Sequence, residues 1–360
     1  MNVDCAAGGT LSDALTTPAG QLTVVFTGTC VEDVAIRRGD VTLRGGAPGA
    51  TIDGSTPAAN HALLVEGGLR VTLSDFAVRN SQGHGLTISF STVDAANLTI
   101  SDNVLAGVLV DGCTLRFTNG TVSRNLSGIV ASGGNAFVRL GGTVVIADNT
   151  QDGLYSGEGA YVFQSSAVGS NLTVSGSEYG ITVESNGQFH VFRDGLTVRQ
   201  NDFGIVGNRG AIIDVAMLTL TANGHGVLLI DSSLRAGGSL TNNTVAAIEA
   251  QRGSQVELHR GRVTTTTVTG NRVGISADAH SQIMLSDTTV TGNVERDVRL
   301  AFGATLSRYQ NATVGTLACD GTELIRPPAT CAATFAMTPA PDMALRRAAR
   351  EERSRVRERE

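Results

Sequence analysis

Three acidic side chains that should face outward from the same strand of a repeating pattern are the residues best suited to chemistry. They are Glu184, Glu249 and Asp278, which we take as candidate catalytic residues. Two carboxyl groups on either side of a glycosidic bond can act as general acid and general base. Three neutral polar residues fall close to them in the pattern, and we take these as candidate substrate-binding residues: Tyr155, Asn208 and Gln251.

Clustered carboxylates also raise the question of a metal ion, because Ca²⁺ prefers about six converging oxygen ligands. Glu249 and Asp278 should lie one repeat apart, with Gln251 beside them. Glu184 should lie near Asn208. This set does not supply six converging oxygens, so we expect no resident cofactor and keep Ca²⁺ as an open alternative.

The candidate residues belong to a phrase that recurs along most of the chain. Its mark is a glycine followed by a short apolar run, as in Gly204-Ile-Val and Gly226-Val-Leu. Neighbouring copies lie 21 to 27 residues apart, at Gly85, Gly107, Gly128, Gly153, Gly180, Gly204, Gly226, Ala247 and Gly274. Two further runs with alternating apolar residues complete each copy. A repeat with three short strands predicts a solenoid whose strands pair between coils.

An asparagine precedes most of the repeated glycines and predicts a ladder. The file consists of Asn103, Asn125, Asn149, Asn201, Asn223, Asn243, Asn271 and Asn293, with Ser177 in one gap. Asparagine tolerates tight bends, and its amide can donate to the same residue one coil away. We interpret these residues as structural. The apolar residue three places before each asparagine should face the core.

The second strand of each coil predicts another inward file. Counting along the repeat gives Leu115, Val138, His190, Ile213, Leu234, Val256 and Ile283. His190 is interpreted as a hydrogen-bonded core residue, because no cysteine or second histidine shares its spacing. The outward residues Asp214, Arg235 and Glu257 should form an acid–base–acid ladder on consecutive coils.

Composition limits the class of protein. Aromatic residues make up 4% of the chain and Gly 44 of 360 residues, so the core must consist of small aliphatic side chains. The net charge of −6 argues against a nucleic-acid partner. The sequence has no apolar run of the about 20 residues that a membrane helix needs, and its start lacks the pattern of a signal peptide.

Five cysteines suggest how the ends are fastened. Cys5 and Cys30 bracket the first segment, Cys319 and Cys331 bracket the last, and Cys113 is left over. Two local disulfides would staple both ends of the solenoid and indicate an oxidising compartment. Five unrelated buried thiols remain the alternative, because connectivity cannot be read from spacing alone.

The first 60 residues carry the most specific resemblance. Val3-Asp4-Cys5, residues 28–36 (GTCVEDVAI) and residues 46–54 (GAPGATIDG) resemble the amino-terminal caps of secreted bacterial right-handed parallel β-helix proteins of the pectin-lyase-like superfamily. The resemblance extends over residues 3–331, where it rests on the repeat pattern. It implies a right-handed helix, export from a bacterium, and a polysaccharide or cell-surface glycan as partner.

The pectin-cleaving members of that superfamily offer motifs to compare. Polygalacturonases carry Asn-Thr-Asp, Asp-Asp, Gly-His-Gly and Arg-Ile-Lys, whereas this chain has only Gly-His-Gly, around His84 and His225, and contains no Lys. We therefore interpret both histidines as variable turn residues. Pectate lyases use acidic Ca²⁺ ligands and an Arg base, so a lyase or a glycoside hydrolase remains the form an enzyme would take.

The sequence thus predicts an all-β fold, a single-stranded right-handed parallel β-helix of about ten coils with three short strands each. The expected units are a cap with the first coils at 1–60, repeats at 61–318, a C-terminal cap at 319–335, and a linker with a charged tail at 336–360. The tail should be disordered or helical, because it is dense in charge and has no apolar stripe.

The functional hypothesis is an exported, monomeric β-helix protein that engages polysaccharide, with polyuronide among the candidates, along an elongated sheet face. We expect it to be secreted or on the bacterial cell surface, with no nucleic-acid partner and no transmembrane segment. One alternative is a non-catalytic, adhesin-like surface module. A minor alternative is ice binding by a flat threonine array, which comprises Thr219, Thr221, Thr267, Thr269, Thr289 and Thr291.

Overall fold

A computed structural model describes residues 1–331 except 19, 47–48, 57–59, 69, 166–168, 193–194, 260–264 and 330. The predicted tail at 336–360, and residues 332–335 of the predicted C-terminal cap, lie outside the described residues. Within the described part of the chain, no helix has the length and apolar character needed to cross a membrane.

The described chain forms one short helix and 36 strands. The first third contains β1 (Asn2–Asp4), α1 (Leu11–Leu15), β2 (Leu22–Thr27), β3 (Thr29–Val31), β4 (Val34–Ile36), β5 (Val41–Gly45), β6 (Thr51–Asp53), β7 (His61–Glu66), β8 (Val71–Ser74), β9 (Ala77–Arg79), β10 (His84–Ser89), β11 (Thr92–Ser101) and β12 (Ala106–Asp111). The middle contains β13 (Thr114–Ser123), β14 (Ser127–Ser132), β15 (Phe137–Ala147), β16 (Asp152–Ser156), β17 (Tyr161–Gln164), β18 (Asn171–Ser175), β19 (Tyr179–Glu184), β20 (Gln188–Val191), β21 (Leu196–Arg199), β22 (Phe203–Asn208), β23 (Ile212–Thr221) and β24 (His225–Ile230). The last part contains β25 (Ser233–Thr241), β26 (Ala246–Gln251), β27 (Gln255–Leu258), β28 (Thr266–Thr269), β29 (Val273–Ala277), β30 (Gln282–Leu285), β31 (Thr288–Val290), β32 (Arg296–Leu300), β33 (Thr305–Arg308), β34 (Thr313–Val314), β35 (Leu317–Cys319) and β36 (Leu324–Arg326).

The strands stack into a parallel β-helix with two sheets. One strand from each coil forms the front sheet, whose described strands number thirteen, in the order β4, β7, β10, β12, β14, β16, β19, β22, β24, β26, β29, β32 and β35. The second and third strands of the coils form the bent sheet. Long strands such as β15 run through its corner, since β15 pairs in parallel with both β17 and β18. The prediction of an all-β parallel solenoid is confirmed.

The front sheet has more strands than the about ten coils expected from the repeat, because the coils at both ends lack its pattern. In β4, Val34-Ala35-Ile36 carries no repeated glycine, and in β32 the aspartate Asp297 aligns with Gly274 of β29. The repeated glycine itself is required by close packing between coils. A Cβ atom at Gly226 would lie 2.4 Å from the carbonyl oxygen of Ala247 on the next coil.

Small aliphatic side chains fill the interior, as the composition predicts. The file three residues before the asparagines has no exposed surface: Ile100, Val122, Ile146, Val198, Leu220, Leu240, Val268 and Val290. The coils therefore bury one continuous apolar core along the axis, which is the main favourable contribution to folding of a solenoid.

The predicted inward orientation of His190 is wrong by one residue. Phe189 aligns with Val162 and Ile213 and is fully buried. His190 instead aligns with Phe163 and Asp214 on the outer surface of the bent sheet. The count failed because turn lengths vary between coils, and a shift of one residue moves every side chain of a strand to the other face.

The asparagine ladder is confirmed. The Nδ2 of Asn201 donates to Oδ1 of Asn223 at 3.0 Å, and Asn223 donates in the same way to Asn243 at 3.1 Å. The ladder ends on a carboxylate, since Nδ2 of Asn293 donates to Oδ1 of Asp297 at 2.8 Å. At the gap, the buried hydroxyl of Ser177 has no hydrogen-bond partner within the described structure.

Both predicted disulfides are present. Cys5 is bonded to Cys30 and Cys319 to Cys331, while Cys113 is a buried free thiol. The first disulfide joins the residue after β1 to β3, and the second holds the segment after β36 against β35, the last strand of the front sheet. Such end-stapling is typical of proteins that fold in oxidising compartments.

Candidate functional site

The candidate residues lie on the outer surface of the front sheet, which we call the front face. Parallel register arranges its side chains in three files along the helix axis. Over β16 to β29 the edge file contains Asp152, Tyr179, Phe203, His225, Ala246 and Val273. The central file contains Tyr155, Thr182, Val206, Leu228, Glu249 and Ser276, and the far file contains Glu184, Asn208, Ile230, Gln251 and Asp278.

On the first coils of this surface, four polar side chains form two hydrogen bonds between neighbouring strands. Tyr155 Oη donates to Glu184 Oε1 at 2.7 Å, and Thr182 Oγ1 donates to Asp152 Oδ1 at 2.5 Å. Glu184 is only 7% exposed and aligns with Asn208 on the next coil. The proximity of Glu184 to Asn208 and Tyr155 is as predicted, but the burial and bonding of Glu184 fit a positioning role better than a direct role in proton transfer.

A file of rings runs along the edge of the front face, on the middle coils β19, β22 and β24. Tyr179 stacks on Phe203 with ring centroids 5.4 Å apart, and Phe203 stacks on His225 at 4.7 Å. Val206 and Leu228 of the central file pack against these rings. The result is a largely buried apolar strip parallel to the helix axis, in which Phe203, Val206 and Leu228 are at most 7% exposed. Tyr179 and His225 at its two ends are half-buried.

Beyond the rings, the structure brings the remaining candidates together. Glu249 lies one coil from Ser276, and Gln251 lies beside Asp278 in the far file. His225 Nδ1 lies 3.2 Å from Glu249 Oε2, close enough for an ion pair when the imidazole is protonated, although the two are not aligned as a hydrogen bond. All five of these polar side chains are half-buried.

Glu184 and Glu249 do not form one acid–base pair. They lie three coils apart, on β19 and β26. At about 4.8 Å per coil their backbones are separated by about 14 Å, which exceeds the about 6.5–9.5 Å between carboxyl groups of inverting glycosidases. Of the three predicted catalytic residues, only Glu249 and Asp278 are near enough to act on one bond.

Burial raises the pKa of Asp278, and the nearby carboxylate of Glu249 adds to the increase. A raised pKa is a property of general acids, which must keep their proton near neutral pH. Asp278 thus has one property of a proton donor, and Glu249 is a carboxylate close to it.

The same shift predicts how Asp278 affects stability. Because its pKa is raised in the folded state, Asp278 stabilises the protein fully only below its ordinary value of 3.8, and this contribution is lost as pH rises through the folded-state pKa. We therefore expect Asp278→Asn to increase the free energy of unfolding at pH 7, with the difference vanishing at pH 3. Urea denaturation at both pH values checks this, with the exposed Asp231→Asn as control. A variant less stable than the wild type at pH 7 would contradict it.

Groups of three or more potential metal ligands occur, in the described residues, beside the two disulfides. They are Cys5, Cys30 and Glu32, and Cys319, Glu323 and Cys331. Their sulfurs are already bonded to each other, so neither group can offer thiolate ligands. Within the described chain, the front-face acids do not form such a group, and Ca²⁺ would need additional oxygens from a bound ligand.

Sequence reasoning missed the role of His225, which it assigned to a variable turn. His225 is the first residue of β24, and its ring belongs to the stacked file. The signal was present, because Tyr179, Phe203 and His225 each precede the repeated glycine of consecutive coils. His84 holds the same position in β10, where its Nδ1 accepts a hydrogen bond from the backbone N–H of Ala106 at 3.2 Å.

Comparison with known proteins relates part of the chain to a described family. The family described as right handed beta helix region matches residues 41–203. Two similar solved structures are A-modules of Azotobacter vinelandii mannuronan C-5 epimerases. The AlgE6 module is 15% identical with a TM-score of 0.40, over 91% of this chain and 89% of that module. The AlgE4 module is 12% identical with a TM-score of 0.40, over 93% and 100%. No curated protein matches the chain. Over residues 41–203 the match agrees with the predicted right-handed parallel β-helix.

Proposed function

We propose that the protein is exported and binds polysaccharide along the front face. The observation that carries this proposal is the stacked file Tyr179–Phe203–His225 with polar side chains beside it. Elongated ligands match this arrangement, because the same three files continue from coil to coil. The two disulfides support export, since disulfides persist in oxidising compartments.

The chemistry of the files suits sugars. The apolar faces of pyranose rings pack on aromatic side chains, while their hydroxyl groups exchange hydrogen bonds with carboxylates and amides. Asn208, Gln251 and Glu249 supply such groups next to the ring file. A binding site with an apolar strip and a few oriented polar groups is typical of ligand recognition.

The charge of the front face restricts which polysaccharide binds there. Glu184, Glu249 and Asp278 are acidic, so the carboxylates of a polyuronide would be repelled unless a cation lies between them. We therefore propose a neutral polysaccharide as the ligand in the absence of Ca²⁺, and a polyuronide in its presence. Within this proposal Asp278 is the proton donor and Glu249, beside His225, the proton acceptor for any turnover.

The test is a binding and turnover panel with the full-length protein. Alginate, polygalacturonate and a neutral galactan are each titrated with and without Ca²⁺, and products are assayed for unsaturated and reducing ends. We expect binding that His225→Ala weakens by about tenfold, the effect of losing about 1.4 kcal/mol. We expect Glu249→Gln combined with Asp278→Asn to remove any new chain ends. Glu257→Gln, on the bent sheet, is the matched control.

The outcomes separate the functional classes. Binding with new chain ends identifies a lyase or hydrolase, whereas binding without them identifies the non-catalytic, adhesin-like module. No binding across the panel would overturn the proposal for the front face. So would binding of the neutral galactan that His225→Ala leaves unchanged.

Ice binding has one observation in its favour. On the third strand, Thr197, Thr219, Ser239, Thr267 and Thr289 align in one file, and Arg199, Thr221, Thr241 and Thr269 in the next. Arg199 and Ser239 interrupt the threonine array, and threonine is common in strands of any function. Thermal hysteresis at millimolar protein tests this alternative directly.

A further inference from the structure

A cluster of rings lies on the outer surface of the bent sheet, away from the front face. It comprises Phe137, Tyr161, Phe163, His190 and Phe192, and we call it the ring platform. The chain has only 11 Phe and 4 Tyr, and four of these 15 lie here on three consecutive coils. Phe137 is 36% and Phe192 48% exposed. Exposed aromatic clusters of this kind mark binding surfaces.

The rings form a continuous stack. Tyr161 lies 5.6 Å from Phe137 and 5.0 Å from His190, measured between ring centroids, and both pairs are stacked. His190 in turn stacks on Phe192 at 5.6 Å. Burial lowers the pKa of His190, although the carboxylate of Asp214 opposes the shift. The lowered pKa favours the neutral imidazole, which extends the stack of rings.

Two guanidinium groups border the ring platform. Arg116 and Arg139 occupy the same position on adjacent coils, and Arg139 is aligned with Phe163. The Arg139 guanidinium lies 5.9 Å from the centre of the Phe163 ring and donates to Ser165 Oγ at 2.8 Å. No carboxylate of a described residue pairs with Arg139. Arg116 pairs with Asp94 at 3.0 Å, but both side chains are about half exposed, so this pair is weak.

A trough adjoins the two arginines. It has a volume of 430 Å³, and its lining includes Asp94, Arg116, Thr118, Arg139, Gly141 and Ser165. The volume lies within the range of small-ligand sites. The absence of a side chain at Gly141 keeps the trough open next to the guanidinium groups.

We propose that the ring platform, with Arg116, Arg139 and the trough, binds an anionic sugar chain through its uronate carboxylates, independently of Ca²⁺. The guanidinium fork matches a carboxylate in two parallel hydrogen bonds, and the stacked rings accept the apolar faces of the neighbouring sugars. Arg116 and Arg139 thus offer partners for a uronate carboxylate on the bent sheet, whereas the candidate residues of the front face include Glu249 and Asp278. This inference rests on the proposed function for its ligand class and adds a second, chemically different surface.

The chain contains no Trp, so Phe163→Trp places a single fluorescent reporter in the ring platform. Full-length protein with this change is titrated with short oligogalacturonates in EDTA. We expect the Trp emission to change on binding, and Arg139→Gln in the same background to weaken binding by at least about tenfold. Arg116→Gln should act in the same direction. Tyr309→Trp, at an exposed residue on the last coils, should give no response.

Two matched variants separate this inference from the front-face proposal. Arg235→Gln changes another outward arginine of the bent sheet, paired with Glu257, and Glu249→Gln changes the front face. Neither should alter the oligogalacturonate response. If Glu249→Gln abolishes the response and Arg139→Gln does not, the ring platform is not the uronate site while the front-face proposal stands.

Three further results would overturn the inference. The first is no emission change at any oligogalacturonate concentration. The second is an equal response to single-stranded DNA of the same charge, which would indicate binding of any polyanion. The third is concentration-dependent self-association that Phe137→Ala removes, because the ring platform would then contact a second copy of the chain.

Discussion

Replacement of Asn223 by alanine should lower the free energy of unfolding by about 4 kcal/mol, because two or three buried groups would lose partners at about 1–3 kcal/mol each. Asn223 is fully buried, and its Nδ2 donates to Asn243 Oδ1 at 3.1 Å and to the carbonyl of Val198 at 3.2 Å. Its Oδ1 accepts from the backbone N–H of Asn201 at 3.1 Å. Asn223 has no exposed surface, so these groups are shielded from solvent in the folded protein.

Urea denaturation of Asn223→Ala measures this loss. Asn171→Ala is the control, because Asn171 is exposed and its side chain donates, among the described residues, to the nearby backbone carbonyl of Gly169. It should change the free energy of unfolding by less than about 0.5 kcal/mol. Equal effects of the two substitutions would show that the ladder contributes nothing beyond the intrinsic preferences of asparagine.

Loss of the first disulfide should have an effect of similar size, confined to one end of the helix. Cys5 and Cys30 are separated by 25 residues, and a crosslink of that span restricts the unfolded chain by about 3 kcal/mol. A solenoid can open from its ends, because each coil contacts only its neighbours. Cys5→Ser with Cys30→Ser should therefore lower the opening free energy of β1 to β3 by about 3 kcal/mol.

Native-state hydrogen exchange of the backbone amides measures the free energy of this opening. Strands near the middle, such as β23, should keep wild-type protection in the double variant. Dithiothreitol should bring the protection of β1 to β3 in the wild type to the level of the variant and leave these strands of the variant unchanged, while the Cys319–Cys331 disulfide at the other end is reduced in both proteins. Uniform loss of protection along the whole chain would contradict a local staple.

Most of the fold could be predicted from the sequence, because every coil repeats the same local requirement. Asn201 and Asn223 satisfy buried backbone, and glycines such as Gly226 permit close contact between coils. Each requirement recurs often enough to be read without structural information. The coils at the ends could not be predicted, because other residues stand there in place of the repeated glycine and asparagine. Asp297, which accepts the last hydrogen bond of the ladder, is one of them.

The candidate site was predictable only in part. Glu249, Gln251 and Asp278 could be placed together, because their strands share a register with the repeated glycines. His190 could not be placed, because the turn between the second and third strands varies in length. The register of those strands can be read only from the structure. The ring platform could not be predicted for the same reason, since the proximity of Phe137, Tyr161 and Phe163 follows from that register.

The central claim is that the front face binds polysaccharide, and hydroxyl-radical footprinting of the full-length protein tests it most directly. The protein is oxidised with and without a saturating neutral polysaccharide, and modified side chains are identified by mass spectrometry. We predict that the bound polymer protects His225 and Tyr179 of the front face and leaves the exposed Tyr309 and Phe90 unchanged. Binding without protection of His225 and Tyr179 would contradict the claim.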